Sequence, residues 1–423
     1  MNVLVVGGGG REHALCWKLA QSARLTRLVA APGNPGIARH ATCVAASVDD
    51  HDALVRLADK ERPDMVVIGP EVPLVAGLAD RLTAAGFAVF GPTARAAAIE
   101  GSKAFAKAVM ARHAIPTARF ETFTDAARAR RFCRDLGAPL VVKTDGLAAG
   151  KGAIVCTTLE EADAALAACM ERREFGASGA TVVVEEFLVG EEVSFFVLVS
   201  GRHVTPLAVA QDHKAVFDGD RGPNTGGMGA FTPVASFDHT LRARVMTTIV
   251  TPTITALADE GAPYSGVLFV QLMLTADGPK VVEFNCRFGD PECQAILAPM
   301  DADLLPLLAA VARGEPALEI ASPTRAAVCV TLASGGYPGA YATGVPITGV
   351  DEAAMLSGVE VFHAGTTLRD GRLVTAGGRV LGVTAVAPDV PRAIERAYQA
   401  VDRIRFDGMH FRRDIGRRKP VAA

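Results

Sequence analysis

None of the eight cysteines (positions 16, 43, 133, 156, 169, 286, 293 and 329) forms a Cys-x-x-Cys pair, and most lie in apolar runs. That pattern argues against a zinc site or a disulfide frame, and for small buried side chains in a reducing compartment. A surplus of one charge is also missing: 43 Lys and Arg stand against 46 Asp and Glu, a net of -3. Nucleic acid calls for a basic face, so no nucleic-acid partner is expected. No apolar run reaches the ~18 residues of a membrane-spanning helix. The start, MNVLVVGGGG, has neither the charged region nor the cleavage site of a secretory signal. The expectation is a cytoplasmic protein without a membrane partner. Internal repeats and long low-complexity segments are absent too. The one basic cluster, FRRDIGRRKP at 411–420, reads as a solvated tail.

What is present is globular material, 50% hydrophobic and 21% charged over 423 residues, enough for about three domains. Short apolar runs at 2–6, 27–31, 65–69 and 87–91 alternate with segments of helical length. Such alternation predicts parallel strands with crossover helices, so residues 1–101 read as a doubly wound α/β domain. A helical stretch broken at Gly101 and stopped before Pro116 opens a second domain, 102–323. Within it, 120–188 reads as a small α+β unit: two strands around a glycine-rich turn, a helix and a returning strand. Further strands at 326–334, 359–365 and 379–387 and a helix at 390–402 predict an α+β C-terminal domain, 324–423.

Several motifs carry chemistry. VVGGGGREHA follows the first strand and opens a helix, where free N–H groups and the positive helix end suit an anion. The dinucleotide fingerprint fails: Gly8 and Gly10 are followed by His13, Gly7 and Gly9 by Glu12, and the second strand ends without an acid for a ribose. Phosphate or phosphosugar binding by Gly8, Gly9, Gly10 and Arg11 is the reading set against a merely tight turn. KTDGLAAGKG is no P-loop, because Gly146 is one residue too close to Gly150 and Gly152 replaces the hydroxyl residue. Its glycines and its Lys143 and Lys151 still suit phosphate, against a flexible hairpin tip. VVVEEFLVGEE is either a solvated strand edge or a hinge whose backbone at Glu186 and Leu188 meets an adenine edge. QDHKAVFDGDRGPNTGGMGAFTP, 211–233, reads as a long loop for polar substrate recognition. In it His213 is a general base or a structural histidine. In VVEFNCRFGDPECQ, Glu283 and Asn285 lie two apart on a strand and share a face. They are hard oxygen donors for Mg²⁺, or part of a polar strand end.

The ordered series GGGGREHAL, GSKAFAK, VVKTDGLAAGKG, EEFLVGEE, QDHK, GPNTGGMGA and EFNCRFGDPECQ resembles the phosphoribosylamine-glycine ligases (glycinamide ribonucleotide synthetases) of the ATP-grasp superfamily. VFHAGT and GGRVLGVTA extend the likeness to about residue 416. The resemblance implies that 102–323 is an ATP-grasp domain with 120–188 as its lid. It implies ATP and Mg²⁺, with Mn²⁺ as a substitute, and glycine and 5-phosphoribosylamine as substrates. The reaction the resemblance implies runs through glycyl phosphate to glycinamide ribonucleotide, ADP and phosphate in purine synthesis.

By position, the resemblance puts Lys103 and Lys143 on the ATP phosphates, with the loop of Gly146, Gly150, Lys151 and Gly152 expected to cover them. It implies that Glu186 and Leu188 meet adenine, flanked by Glu185 and Phe187, that Glu191 or Glu192 meets the ribose, and that Glu283 and Asn285 hold the metal. Arg287, Lys143 and Asp212 are the catalytic candidates; Gly8, Gly9, Gly10, Arg11, Asp212, Lys214, Asn224, Arg287 and Asp290 face the substrates. Two departures from the family pattern stand out: Ala215 where an arginine is usual, and Gln271 where many ATP-grasp enzymes carry a second metal acid. A monomer is expected. The rival readings are a different ATP-grasp ligase or carboxylase, and a nucleotide-binding regulatory protein without catalysis.

Overall fold

The structure, a computed structural model, describes residues 1–148 and 152–417. The expectations for Gly150 and Lys151 lie outside the described residues. The first hundred residues form a parallel sheet in the order Thr42–Cys43, Arg27–Pro32, Asn2–Gly7, Met65–Ile68, Val89–Phe90. Residues 3–6 of its central strand are all apolar because both faces are covered. Leu4 and Val6 pack into one core and Val3 and Val5 into another, as the two-residue period of a strand requires.

Residues 120–186 form an antiparallel sheet, ordered Phe120–Phe123, Val182–Glu186, Leu140–Thr144, Ala153–Cys156, under the helices Ala126–Leu136 and Leu159–Leu166. It has a core of its own around Leu140, Val142, Leu166 and Val184. The largest sheet runs Gly278–Asn285, Tyr264–Thr275, Glu191–Gly201, His203–Asp212, Gly229–Thr232, Ala326–Ala333, Arg379–Ala387, Val359–His363. Gly229–Thr232 pairs antiparallel with Ala326–Ala333, so the C-terminal strands extend the same sheet across the expected boundary at 323. Among the described residues no helix is long and apolar enough to cross a membrane.

Two sequence expectations are corrected. The stretch 211–233 is not a structureless loop: Ala215–Phe217 and Arg221–Asn224 form a hairpin, followed by the strand Gly229–Thr232. Asp218-Gly219-Asp220 makes the turn, with Gly219 at φ 75° and Asp220 at φ 53°, a conformation glycine and aspartate tolerate. The basic C-terminal cluster is no solvated tail over 411–417. Arg412 is fully buried, donates from Nη1 to the Ala215 carbonyl at 3.1 Å and pairs with Asp414 at 2.7 Å. The Asp414 carboxylate accepts the Gly219 N–H at 2.9 Å, and the Gly416 N–H donates to His213 Nε2 at 3.1 Å. Buried Ile415 and half-buried Phe411 anchor this strap in the C-terminal core. Charge alone suggested a tail, but the apolar residues between the charges decide the outcome.

The strap makes a stability prediction. Arg412→Ala should lower the unfolding free energy by about 2 kcal/mol, the order of lost hydrogen bonds to a charged group. Urea denaturation checks this, and an unchanged midpoint would show that the strap contributes nothing.

Candidate active site

One cleft of about 1410 Å³ draws lining residues from every part of the chain, among them Arg11, Lys143, Asp212, Glu283 and Arg379. At one end lie the lysines. Ser102 caps the helix Lys103–Arg112, and Asp145 accepts from the Ser102 hydroxyl and the Ala104 N–H, which fixes Lys103 at the first helical position. Lys103 Nζ donates to the Gly146 carbonyl at 3.0 Å. Lys143 and Glu185 sit one diagonal step apart on paired strands, 2.5 Å between Nζ and Oε1. Lys107 closes on the other oxygen of Glu185 at 2.5 Å and donates to Thr117 Oγ1 at 2.7 Å. Burial acts to raise the Glu185 carboxyl, but Lys143 and Lys107 outweigh it and hold it below the usual range. Burial pushes the Lys107 ammonium down to about 8, against the pull of Glu185.

Beyond the lysines is the acidic hinge. The Glu186 side chain accepts from the Arg119 N–H at 3.1 Å and from Lys280 at 3.3 Å. Phe187 is exposed on the cleft beside Leu188. Glu191 accepts from Gln211 Nε2 at 3.3 Å, whereas Glu192 pairs with Lys214 at 2.8 Å. Gly146 and Gly152 line the cleft.

Glu283 and Asn285 end the strand Gly278–Asn285, with Gln271 directly across from Glu283 in register. Burial would raise the Glu283 carboxyl, yet Lys214, Lys143, Lys103 and Arg287 together hold it low. Asn285 Oδ1 accepts from Arg287 at 3.1 Å, and its Nδ2 is buried without a partner. Gln271 turns its oxygen to the Ser194 hydroxyl at 3.2 Å, which also reaches Glu292 at 3.3 Å.

The far end carries Asp212, Arg287, Asp290 and Arg11. Asp212 Oδ1 is buried without a hydrogen bond; burial raises its carboxyl well above the usual range, with Lys214 opposing and Glu292 and Glu192 reinforcing. Burial raises Glu292 as well, against Arg287 and Lys214. Arg287 does not present a free fork. Nε lies 3.3 Å from Glu71, Nη1 donates to the Phe288 carbonyl at 3.2 Å, and Nη2 lies 3.3 Å from Glu100.

The glycine turn is engaged too. The Gly9 N–H donates to Glu12 at 2.7 Å and the Arg11 N–H to Asp290 at 3.1 Å, while the Arg11 side chain pairs with Glu12 at 2.7 Å. Arg11 lines the cleft; Gly8, Gly9 and Gly10 are not among the lining residues. Asn224 lies exposed at the cleft on the hairpin. His213 accepts at Nε2 from the strap, which fits a structural histidine.

Residues 1–100, 101–293 and 327–418 match, in turn, the N, ATP-grasp (A) and C domain models of phosphoribosylglycinamide synthetase. The chain belongs to that family. It is 52% identical over 417 residues, 98% of each chain, to the phosphoribosylamine–glycine ligase of Agrobacterium fabrum. The crystal structure of the Thermotoga maritima phosphoribosylamine–glycine ligase superposes with a TM-score of 0.86 at 32% identity, covering 98% of this chain and all of that one. The biotin carboxylase domain of a Hydrogenobacter thermophilus 2-oxoglutarate carboxylase, in complex with MgADP and bicarbonate, shares the fold at TM-score 0.75 and 17% identity, covering 97% of this chain and 91% of that one. The chain is thus an ATP-grasp ligase of purine biosynthesis with the three-domain architecture of its family.

Sequence reading missed Lys107, Glu71, Glu100 and Arg379 as parts of the cleft. Lys107 had a signal: it follows Lys103 by four residues in GSKAFAK, the spacing of one helix face. Glu100 had none, since its partner Arg287 lies far along the chain.

The position of Lys107 predicts a pH effect. Its ammonium is charged below about 8 and loses its proton above, leaving Glu185 with one cation fewer. The wild-type KM for ATP should climb as pH rises through that value. Lys107→Met should begin with a raised KM and lack the climb; parallel profiles would exclude Lys107 from the nucleotide end.

Proposed function

We propose that the cleft joins glycine to 5-phosphoribosylamine through glycyl phosphate, turning ATP into ADP and phosphate at a Mg²⁺ site that also accepts Mn²⁺. The observation that carries this is the convergence of Lys214, Lys143, Lys103 and Arg287 on Glu283 in one cleft. A carboxylate does not react with an amine at neutral pH, so it must first be activated. A glycine carboxylate oxygen bonds the γ-phosphorus, and the bond to the β–γ bridging oxygen breaks, releasing ADP. The amine nitrogen then bonds the acyl carbon and expels phosphate, which leaves with one former carboxylate oxygen, while a proton goes to solvent. The protein's task is to neutralise charge and hold the groups in line, with no nucleophilic side chain.

In this reading Lys103 and Lys143 hold the phosphates, with Gly146 and Gly152 on the same cleft. The backbone of Glu186 and Leu188 meets adenine between Glu185 and Phe187. Glu192 already holds Lys214, which favours Glu191 for the ribose. Glu283 and Asn285 fit the metal: one carboxylate and one amide oxygen, the latter with a second lone pair beside its Arg287 contact. Mg²⁺ takes the rest of its ligands from water and substrate phosphate. Bound there, the metal supplies neutralisation of the transferring phosphoryl group.

Asp212, whose buried Oδ1 has no hydrogen-bond partner, takes the glycine ammonium. Arg287, held by Glu71 and Glu100, acts on the glycine carboxylate as a fixed charge. Gly8, Gly9, Gly10, Arg11, Lys214, Asn224 and Asp290 form the phosphoribosylamine end, where a phosphate has to approach past the Asp290 carboxylate. The protein works as a cytoplasmic monomer on small molecules.

Glycine labelled with ¹⁸O in its carboxylate should pass one labelled oxygen to the released phosphate; mass spectrometry showing unlabelled phosphate would rule out glycyl phosphate. Glu283→Ala should lower kcat by roughly a hundredfold or more, as loss of metal stabilisation of phosphoryl transfer implies. Near wild-type turnover at ordinary Mg²⁺ would make Glu283 a structural residue.

A further inference from the structure

We propose that Arg379, from the C-terminal strands, is a positioning residue for the phosphoribosylamine end, holding the loop at Asp290 and the turn at Gly226 in one arrangement. This rests on the assignment of Asn224 and Asp290 to that substrate. Arg379 opens the strand Arg379–Ala387, and its side chain leaves the sheet to line the cleft. Nη1 donates to the Gly226 carbonyl at 2.6 Å and to the Asp290 carbonyl, and lies 3.6 Å from Asp290 Oδ1. That aspartate in turn accepts the Arg11 N–H at 3.1 Å and the Gln294 amide at 3.0 Å. A single guanidinium therefore links the glycine turn, the RFGDPE loop and the GPNTGG turn, which come from distant parts of the chain. Burial acts to raise the Asp290 carboxyl, and Arg379 is the first of the charges that hold it low.

Gly226 shows how tightly this contact is built. A Cβ there would stand 2.9 Å from Arg379 Cζ and 3.1 Å from both Nη atoms. The Gly226 N–H also donates to Tyr337 Oη at 3.1 Å, tying the turn to the C-terminal domain a second time. Alanine at 226 would therefore displace the guanidinium without deleting it, a second and independent way to break the same contact.

The test uses the full chain and four variants: Arg379→Ala, Arg379→Lys, Gly226→Ala, and Gly226→Ala combined with Arg379→Ala. In Arg379→Ala, kcat/KM for phosphoribosylamine should fall roughly a hundredfold, the scale of a misplaced substrate. Its KM for ATP and its Tm should stay close to wild type. Lysine, able to reach both carbonyls, should recover about tenfold, and Gly226→Ala should lose part of the rate. The double variant should be no worse than Arg379→Ala alone, because the two changes break one contact. Wild-type kcat/KM in Arg379→Ala, an equal loss in ATP affinity and Tm, or multiplying losses in the double variant would each overturn the proposal. ADP release by the wild type that needs neither glycine nor phosphoribosylamine would instead overturn the functional reading, and this assignment with it.

Discussion

Cations crowded into one buried cleft have to stand together whatever is bound, and here carboxylates make that state tolerable. Glu185 sits between Lys107 and Lys143, Glu192 holds Lys214, and Glu71 and Glu100 flank Arg287. Glu283 stands at the centre of the remaining positive field. A lone ammonium or guanidinium at such depth would be driven neutral or would disrupt the fold. Acidic partners offset these charges and fix their direction, with Glu185 serving two lysines at once. The charges of the cleft are therefore held in fixed directions by their partners.

These pairs also hold the architecture together. Glu71 and Glu100 come from the first hundred residues and Arg287 from the bend just after the strand Gly278–Asn285, so an ion pair of the site is at the same time a domain contact. The sheet itself runs on into the C-terminal strands, which places Arg379 at the cleft wall. His13 of REHA and His363 of VFHAGT show a motif residue put to structural use. The His363 N–H donates to His13 Nδ1 at 2.7 Å, both side chains are buried, and the contact joins the first helix to the last strands. Signatures that carry a family resemblance thus mix ligand chemistry with domain packing.

Much of this was legible beforehand. Alternating apolar runs revealed the parallel sheet, because a strand covered on both faces admits nothing else. That Glu283 and Asn285 share a face was legible from their two-residue step, whereas Lys107, a helical step from Lys103 in GSKAFAK, left a signal that was missed. The hairpin in 215–224 was less visible, since strands of three and four residues leave almost no periodic trace. The basic end misled for a related reason: charge was counted, and the apolar anchors between the charges were not.

By itself the sequence determined which elements form, the order of the motifs and the kinds of group available for chemistry, since all of these depend on neighbours along the chain. Only the tertiary structure decided who pairs with whom. Glu71 and Glu100 hold Arg287, and Asp290 accepts the Arg11 N–H of the glycine turn. Arg379 had no role in the sequence because both carbonyls it binds lie in other parts of the chain. Electrostatic and hydrogen-bonding partners are chosen by distance in space, and no periodicity along a chain records that distance.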